Sequence, residues 1–146
     1  MKKHCGRLVT LVALTALLLA ACVSSDSTSA PANVAAQLLR LDYQSSIDNT
    51  KRQYFVYLPA GYQQNSDKKW PVMLFLHGNG ERGNGLDELD YTLIHGPLYE
   101  AWIQKRDLPF IIVVPQLHMF NMGAVPYIAS RQKSSIPQRL PNGVPP

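Results

Sequence analysis

The sequence predicts an α/β fold in which an antiparallel hairpin is followed by a parallel strand–helix–strand unit. Two stretches of alternating apolar residues flank the turn sequence "DNTK" at 48–51, which is typical of a hairpin. Farther along, the runs 72–76 and 110–115 are continuously apolar, as in strands that are covered on both faces. The 32 residues at 78–109 are long enough for the right-handed crossover that parallel strands require.

The hairpin strands are predicted from side chains that alternate between the two faces of each strand. In the first strand these are Leu39, Leu41 and Tyr43; in the second, Tyr54, Val56 and Leu58 share one face and Phe55 and Tyr57 the other. Pro59 and Gly61 end the second strand, since neither residue suits a strand interior.

The crossover helix is predicted to begin at Gly96-Pro97, because proline fits the first turn of a helix. Its buried face would contain Leu98, Trp102 and Ile103. Lys105 and Arg106 would lie in the last turn, where positive charge suits the helix dipole.

The first 21 residues are predicted to be a secretory signal. Lys2, Lys3 and Arg7 precede an uncharged apolar run at 8–20. That run is shorter than the roughly 20 residues expected of a transmembrane helix. The serine- and alanine-rich residues 22–37 then predict a flexible tether.

The end of this signal, "LAAC" at 19–22, resembles the lipobox of bacterial lipoproteins. The resemblance implies cleavage before Cys22 and attachment of acyl chains such as palmitate to that residue. The protein would then be exported and anchored to membrane lipid at Cys22, and Val23 would permit sorting to an outer membrane. The alternative is an ordinary signal peptide that ends near an incidental cysteine.

Cysteine usage and charge exclude two other classes. Cys5 would leave with the signal and Cys22 would be acylated, so no thiol remains for a disulfide scaffold. Three of the 14 basic residues lie in the signal, and the remaining 11 face 10 acidic residues. A net charge near +1 gives no support for a nucleic-acid partner.

The stretch "LFLHGNGERGNG" at 74–85 allows two interpretations. Gly78, Gly80 and Gly83 have the G-x-G-x-x-G spacing of a dinucleotide-binding turn. However, Glu81 inside the loop would repel a diphosphate, and no acidic residue ends a second strand about 20 residues on. No lysine followed by serine or threonine completes a P-loop either.

The second interpretation is a loop that binds an oxyanion. His77 would close the strand, Gly78 would turn the chain, and the N–H of Asn79, together with that of Gly80, would be the donors. The segments "RQYFVYLPAGY", "KWPVMLFLHGNGERGNG" and "LPFIIVVPQ" resemble the N-terminal part of α/β-hydrolase esterases. The similar groups are phospholipase/carboxylesterase-like and polyhydroxybutyrate-depolymerase-like proteins, some of them described as predicted peptidases.

The resemblance covers residues 52–116 and implies that 38–116 form an incomplete α/β-hydrolase sheet. It also implies an ester or other acyl small-molecule substrate and a Ser-His-Asp triad whose serine lies in G-x-S-x-G. No G-x-S-x-G occurs in the chain, so no catalytic residue is predicted. The late serines Ser130, Ser134 and Ser135 lack the strand–turn–helix context, and His118 comes too early for the base.

The remaining polar residues predict no metal site and no cofactor. Asp87, Glu88 and Asp90 are interpreted as a solvated face, and His95 as a loop residue.

Residues 117–146 are proline-rich and basic without a sustained period, which predicts a disordered or non-native tail. The main hypothesis is therefore a truncated, inactive serine esterase that is exported as a lipoprotein. The alternative is a non-catalytic envelope lipoprotein with a hydrolase-like half-domain.

Overall fold

The computed structural model describes residues 34–64 and 67–141, which contain one mixed four-stranded sheet. Its strands are β1 (Gln37–Gln44), β2 (Lys51–Leu58), β3 (Val72–Leu74) and β4 (Ile111–Pro115). Their order across the sheet is β1-β2-β4-β3, so the last strand is inserted between the hairpin and β3. The sheet and its few helical turns are compatible with part of an α/β fold.

The hairpin prediction is confirmed. Strands β1 and β2 are antiparallel, with Leu41 opposite Tyr54 and Gln44 opposite Lys51. The turn closes through a hydrogen bond from the Ser45 N–H to the Thr50 carbonyl oxygen (2.8 Å). Asn49 takes the left-handed conformation at φ 53°, which asparagine tolerates better than most residues.

The predicted parallel pair is also confirmed. Val72 lies opposite Ile111 and Leu74 opposite Val113 in a parallel ladder between β3 and β4. Strand β4 is antiparallel to β2 on its other side, so the hairpin and the parallel unit form one sheet.

One face of the sheet packs against the crossover segment and forms the core. Buried residues from the strands and the crossover meet there: Phe55, Tyr57, Leu89, Leu93, Leu98, Ala101, Ile103, Ile112 and Val114. Phe55 and Tyr57 share a face of β2, as the alternation predicts.

The expectation that residues 72–76 are covered on both faces is wrong. The side chains of Val72, Leu74 and Leu76 are 66%, 63% and 71% exposed. Burial of both faces requires a layer of structure on each side of the sheet. Among the described residues, the crossover covers only the face that includes Ile112, and Val72 and Leu74 point away from it.

The crossover helix begins at Pro97 as predicted but ends early. Its π-helical turn, Tyr99–Ile103, follows a first turn at 97–98. Lys105 and Arg106 lie beyond the end, contrary to the prediction, because Lys105 adopts the left-handed conformation at φ 58°. Arg106 instead forms an ion pair with Glu100, at 2.5 Å between Nη1 and Oε2.

The tail segment, residues 117–141, is folded in the structure, where the sequence predicts disorder. It contains two 3-10 turns, at Met122–Ala124 and Lys133–Ser135, and the four-residue helix α1 (Pro126–Ala129). Ile128 is 3% exposed, so a buried apolar contact stabilises a segment whose composition suggests none. Whether this segment is native stays a prediction.

Candidate functional site

The glycine loop leaves the carboxyl end of β3, the end at which open α/β sheets bind ligands. The Phe75 N–H still donates to the Val113 carbonyl oxygen (2.9 Å), so the strand is held in the sheet almost to the loop. A 3-10 turn, Asn79–Glu81, follows Gly78 and closes through a bond from the Glu81 N–H to the Gly78 carbonyl oxygen (3.2 Å).

The ring of His77 is bonded at both nitrogens. Its Nε2 accepts a hydrogen bond from the Leu117 N–H (2.8 Å), so that nitrogen carries no proton. The proton of the neutral ring is therefore on Nδ1, which donates to the Gly78 carbonyl oxygen at 2.6 Å. With Nε2 occupied, His77 is placed to hold the loop rather than to act as a general base.

These bonds fix the direction of the Asn79 N–H. The Gly78 carbonyl is held by His77 and by the Glu81 N–H, and the Asn79 N–H points the opposite way across the same trans peptide plane. Among the described residues, no acceptor is recorded for the N–H groups of Asn79 and Gly80. Two donors in this exposed turn can therefore bind an anion or a developing oxyanion.

Glu81 lies behind the loop, 8% exposed, and its Oε1 is 2.6 Å from His95 Nδ1. A Cβ atom at Gly78 would approach Glu81 Oε2 to 2.9 Å, so a side chain at this position would displace the Glu81 carboxylate. A carboxylate this close to the loop also disfavours a diphosphate ligand.

Gln116, directly after β4, ties the loop to the sheet. Its Nε2 donates to the carbonyl oxygens of Glu81 (2.8 Å) and Glu88 (2.7 Å). Its Oε1 accepts from the Gly85 N–H (2.9 Å), and the side chain is 3% exposed. The Gln116 amide also leaves no room for a side chain at Gly83, where a Cβ would lie 2.5 Å from Nε2.

An apolar cavity of about 230 Å³ adjoins the loop at the ends of β3 and β4. It is lined by Leu76, His77, Pro115, Gln116 and Leu117. This cavity can hold a small apolar group beside the candidate oxyanion-binding turn.

The acidic residues after the loop each pair with a cation. The pairs are Asp87 with Lys133, Glu88 with Arg131, and Asp90 with Arg40. Hydrogen bonding from Asn84 and from Lys133 lowers the pKa of the Asp87 carboxyl. The described residues contain no group of three or more possible metal ligands.

The structure brings His77, Gly78, Asn79 and Gly80 together as one loop, and their predicted role stays a prediction. The backbone of His118 lies beside the loop, where its carbonyl oxygen accepts from Arg82 Nη1 (3.0 Å), whereas its ring Nδ1 accepts from the Phe120 N–H (3.1 Å). Two of the late serines bond Gln132: Ser134 Oγ donates to its Oε1 (3.3 Å) and Ser135 Oγ to its carbonyl oxygen (2.6 Å). Cys22 lies outside the described residues.

Sequence reasoning missed three residues that hold the loop: Gln116, Tyr127 and Arg131. Gln116 is the last residue of the segment "LPFIIVVPQ", which resembles the esterases. That resemblance marks where Gln116 lies in the chain but does not indicate what it contacts. Tyr127 and Arg131 lie in the tail segment, and no motif marks them.

Comparison with known proteins finds no matching family model and no matching curated protein. A solved structure of a ferulic acid esterase, which is a hydrolase, matches with 27% sequence identity and a TM-score of 0.34. The match covers 57% of this chain and 31% of the esterase, so the chain spans about a third of that protein's length.

Within the described ranges, no helix has the length and hydropathy to cross a bilayer.

Proposed function

We propose that this chain is the N-terminal part of a serine-esterase-type α/β hydrolase and contains its oxyanion loop. The proposal rests on the two N–H groups of Asn79 and Gly80, which lie in the turn that follows the parallel strand β3. The Gly78 carbonyl is held by His77 and Glu81, so the turn is rigid before any ligand binds. The motifs at 52–116 support the same assignment.

The chemistry of such a site is acyl transfer to serine and then to water. The carbonyl oxygen of an ester becomes negatively charged in the tetrahedral intermediate, and the two N–H groups would stabilise it there. One such donor contributes about 10²- to 10³-fold in rate. An ester or other acyl small molecule with a compact apolar group would suit the adjoining cavity.

The nucleophile is the missing part. The chain has no G-x-S-x-G, and the nearest imidazole, His77, is engaged at both nitrogens. We therefore expect no triad-dependent hydrolysis by this polypeptide. A shift of reading frame near Gln116 would explain why the resemblance stops there, so sequencing the codons around Gln116 and the DNA downstream tests the assignment. A downstream frame that encodes G-x-S-x-G and a later histidine supports it, and an intact frame followed by unrelated sequence contradicts it.

Export as a lipoprotein is a separate part of the proposal and rests on "LAAC" at 19–22. Cells that express the chain and are fed an alkyne analogue of palmitate should label it, and Cys22→Ser should abolish the label. Cys5→Ser is the matched control, since Cys5 lies inside the signal and should not affect acylation. Equal labelling of the two variants would contradict the assignment.

A non-catalytic envelope module is the second candidate, and the folded tail segment favours it. Ile128 is buried, and the Leu140 N–H donates to the Ile103 carbonyl oxygen (2.9 Å), so the tail packs on the domain. Thermal unfolding of residues 22–146 separates the candidates. A cooperative transition supports a module, and a non-cooperative loss of signal supports a fragment.

A further inference from the structure

Arg131 provides a long-range connection between the tail segment and the glycine loop. Its Nη1 donates to the carbonyl oxygens of Gly80 (2.9 Å) and Arg82 (2.5 Å). The guanidinium lies 4.1 Å from the ring centroid of Tyr91, and Nη2 is 3.6 Å from Glu88 Oε1. One side chain, 12% exposed, thus joins the loop to Glu88 and Tyr91 in the segment that follows it.

Other tail residues contact the loop or the acidic residues that follow it. The Tyr127 hydroxyl bonds the Asn79 side-chain amide, and Lys133 pairs with Asp87. Nearer β4, the Gly83 N–H donates to the Leu117 carbonyl oxygen (3.1 Å). These contacts begin immediately after β4 and continue beyond α1, so they follow most of the tail segment.

We infer that the tail segment is a conformational clamp, in which Arg131 is a positioning residue that orders the glycine loop. Arg131 binds carbonyl oxygens of the loop, and the N–H groups of Asn79 and Gly80 have no acceptor among the described residues. The clamp therefore fixes the loop without covering its donors. This inference concerns loop order and holds whether or not the loop serves an esterase.

Hydrogen–deuterium exchange of the full chain in mild detergent tests it. If the bonds of Arg131 stabilise the closed loop by about 1–2 kcal/mol, their loss changes the local opening equilibrium by a factor of about 5 to 30. Arg131→Gln should accelerate exchange in peptides covering 79–85 by about that factor. Peptides covering β4 should be unchanged.

Arg139→Gln is the matched control. Arg139 lies in the same tail but stacks on Trp102, 3.4 Å from the ring centroid, and donates to the Trp102 carbonyl oxygen. It should leave exchange at 79–85 unchanged. An Arg131→Gln chain with wild-type exchange in the loop would overturn the inference, as would equal acceleration by both variants.

A second variant covers the case in which Arg131→Gln unfolds the whole domain and β4 also loses protection. Tyr127→Phe removes only the hydroxyl that bonds Asn79. It should accelerate exchange of the Glu81 amide, which bonds the Gly78 carbonyl oxygen, by a smaller factor, about two- to fivefold, with β4 intact. No local acceleration in that variant would overturn the clamp.

Discussion

Replacing Gln116 with alanine tests how the glycine loop is attached to the sheet. The side chain makes three hydrogen bonds, to Glu81, Glu88 and Gly85, at 2.7–2.9 Å. Each contributes about 0.5–1.5 kcal/mol net. Because Gln116 is 3% exposed, its partners would lose their bonds in a poorly hydrated site. We therefore expect Gln116→Ala to destabilise the fold by about 3 kcal/mol, the middle of the summed range.

Urea denaturation of residues 22–146, followed by tryptophan fluorescence, measures this change. For a domain of this size, about 3 kcal/mol also corresponds to a fall of about 12–24 °C in Tm. Gln116→Glu should destabilise at least as much at neutral pH, since a carboxylate cannot donate to the two carbonyl oxygens. Exposed Gln138→Ala is the control and should shift stability by no more than about 0.5 kcal/mol. If Gln116→Ala lowers the free energy of unfolding no more than the control does, the Gln116 hydrogen bonds do not attach the loop to the sheet.

Two further predictions concern other turns. Gly96→Ala should lower the free energy of unfolding by about 2–5 kcal/mol, because φ is +75° and a Cβ would lie 2.3 Å from the Phe75 ring. Gly123→Ala is the control for the same urea assay. A Cβ there meets only ordinary contact, so the loss should be under about 1 kcal/mol. Hydrogen bonding, chiefly from Ser45, lowers the pKa of Asp48 from 3.8 to about 2, so its stabilising effect should be present above pH 4 and fade as pH falls towards 2. Asp48→Asn should remove that pH dependence from thermal melts, and an unchanged slope would contradict the assigned cause.

The sheet was largely predictable because its signals are local. Alternation around 48–51 specifies a hairpin, and two apolar runs joined by a long connection specify a parallel pair. Burial was less predictable, because an apolar run shows which faces could be covered but not whether a second layer exists. Val72 and Leu74 are apolar and exposed for that reason.

Only the part of the site that is formed by neighbouring residues was predictable. His77 and Gly78 are adjacent, so the turn they form follows from the motif. Gln116 and Arg131 reach the loop from 35 and 51 residues away, and a lone glutamine or arginine gives no signal of such a contact. The contacts of the tail segment were not predictable, because its composition suggests disorder and gives no sign that Ile128 and Arg131 pack on the domain.

Hydrolysis of p-nitrophenyl butyrate by purified residues 22–146 is the assay for triad-dependent activity, with heat-denatured protein and buffer alone as controls. The proposal of an oxyanion loop without a nucleophile predicts a rate equal to that of the controls and no labelling by a serine-reactive phosphonate. Turnover above the controls that the phosphonate blocks would contradict it.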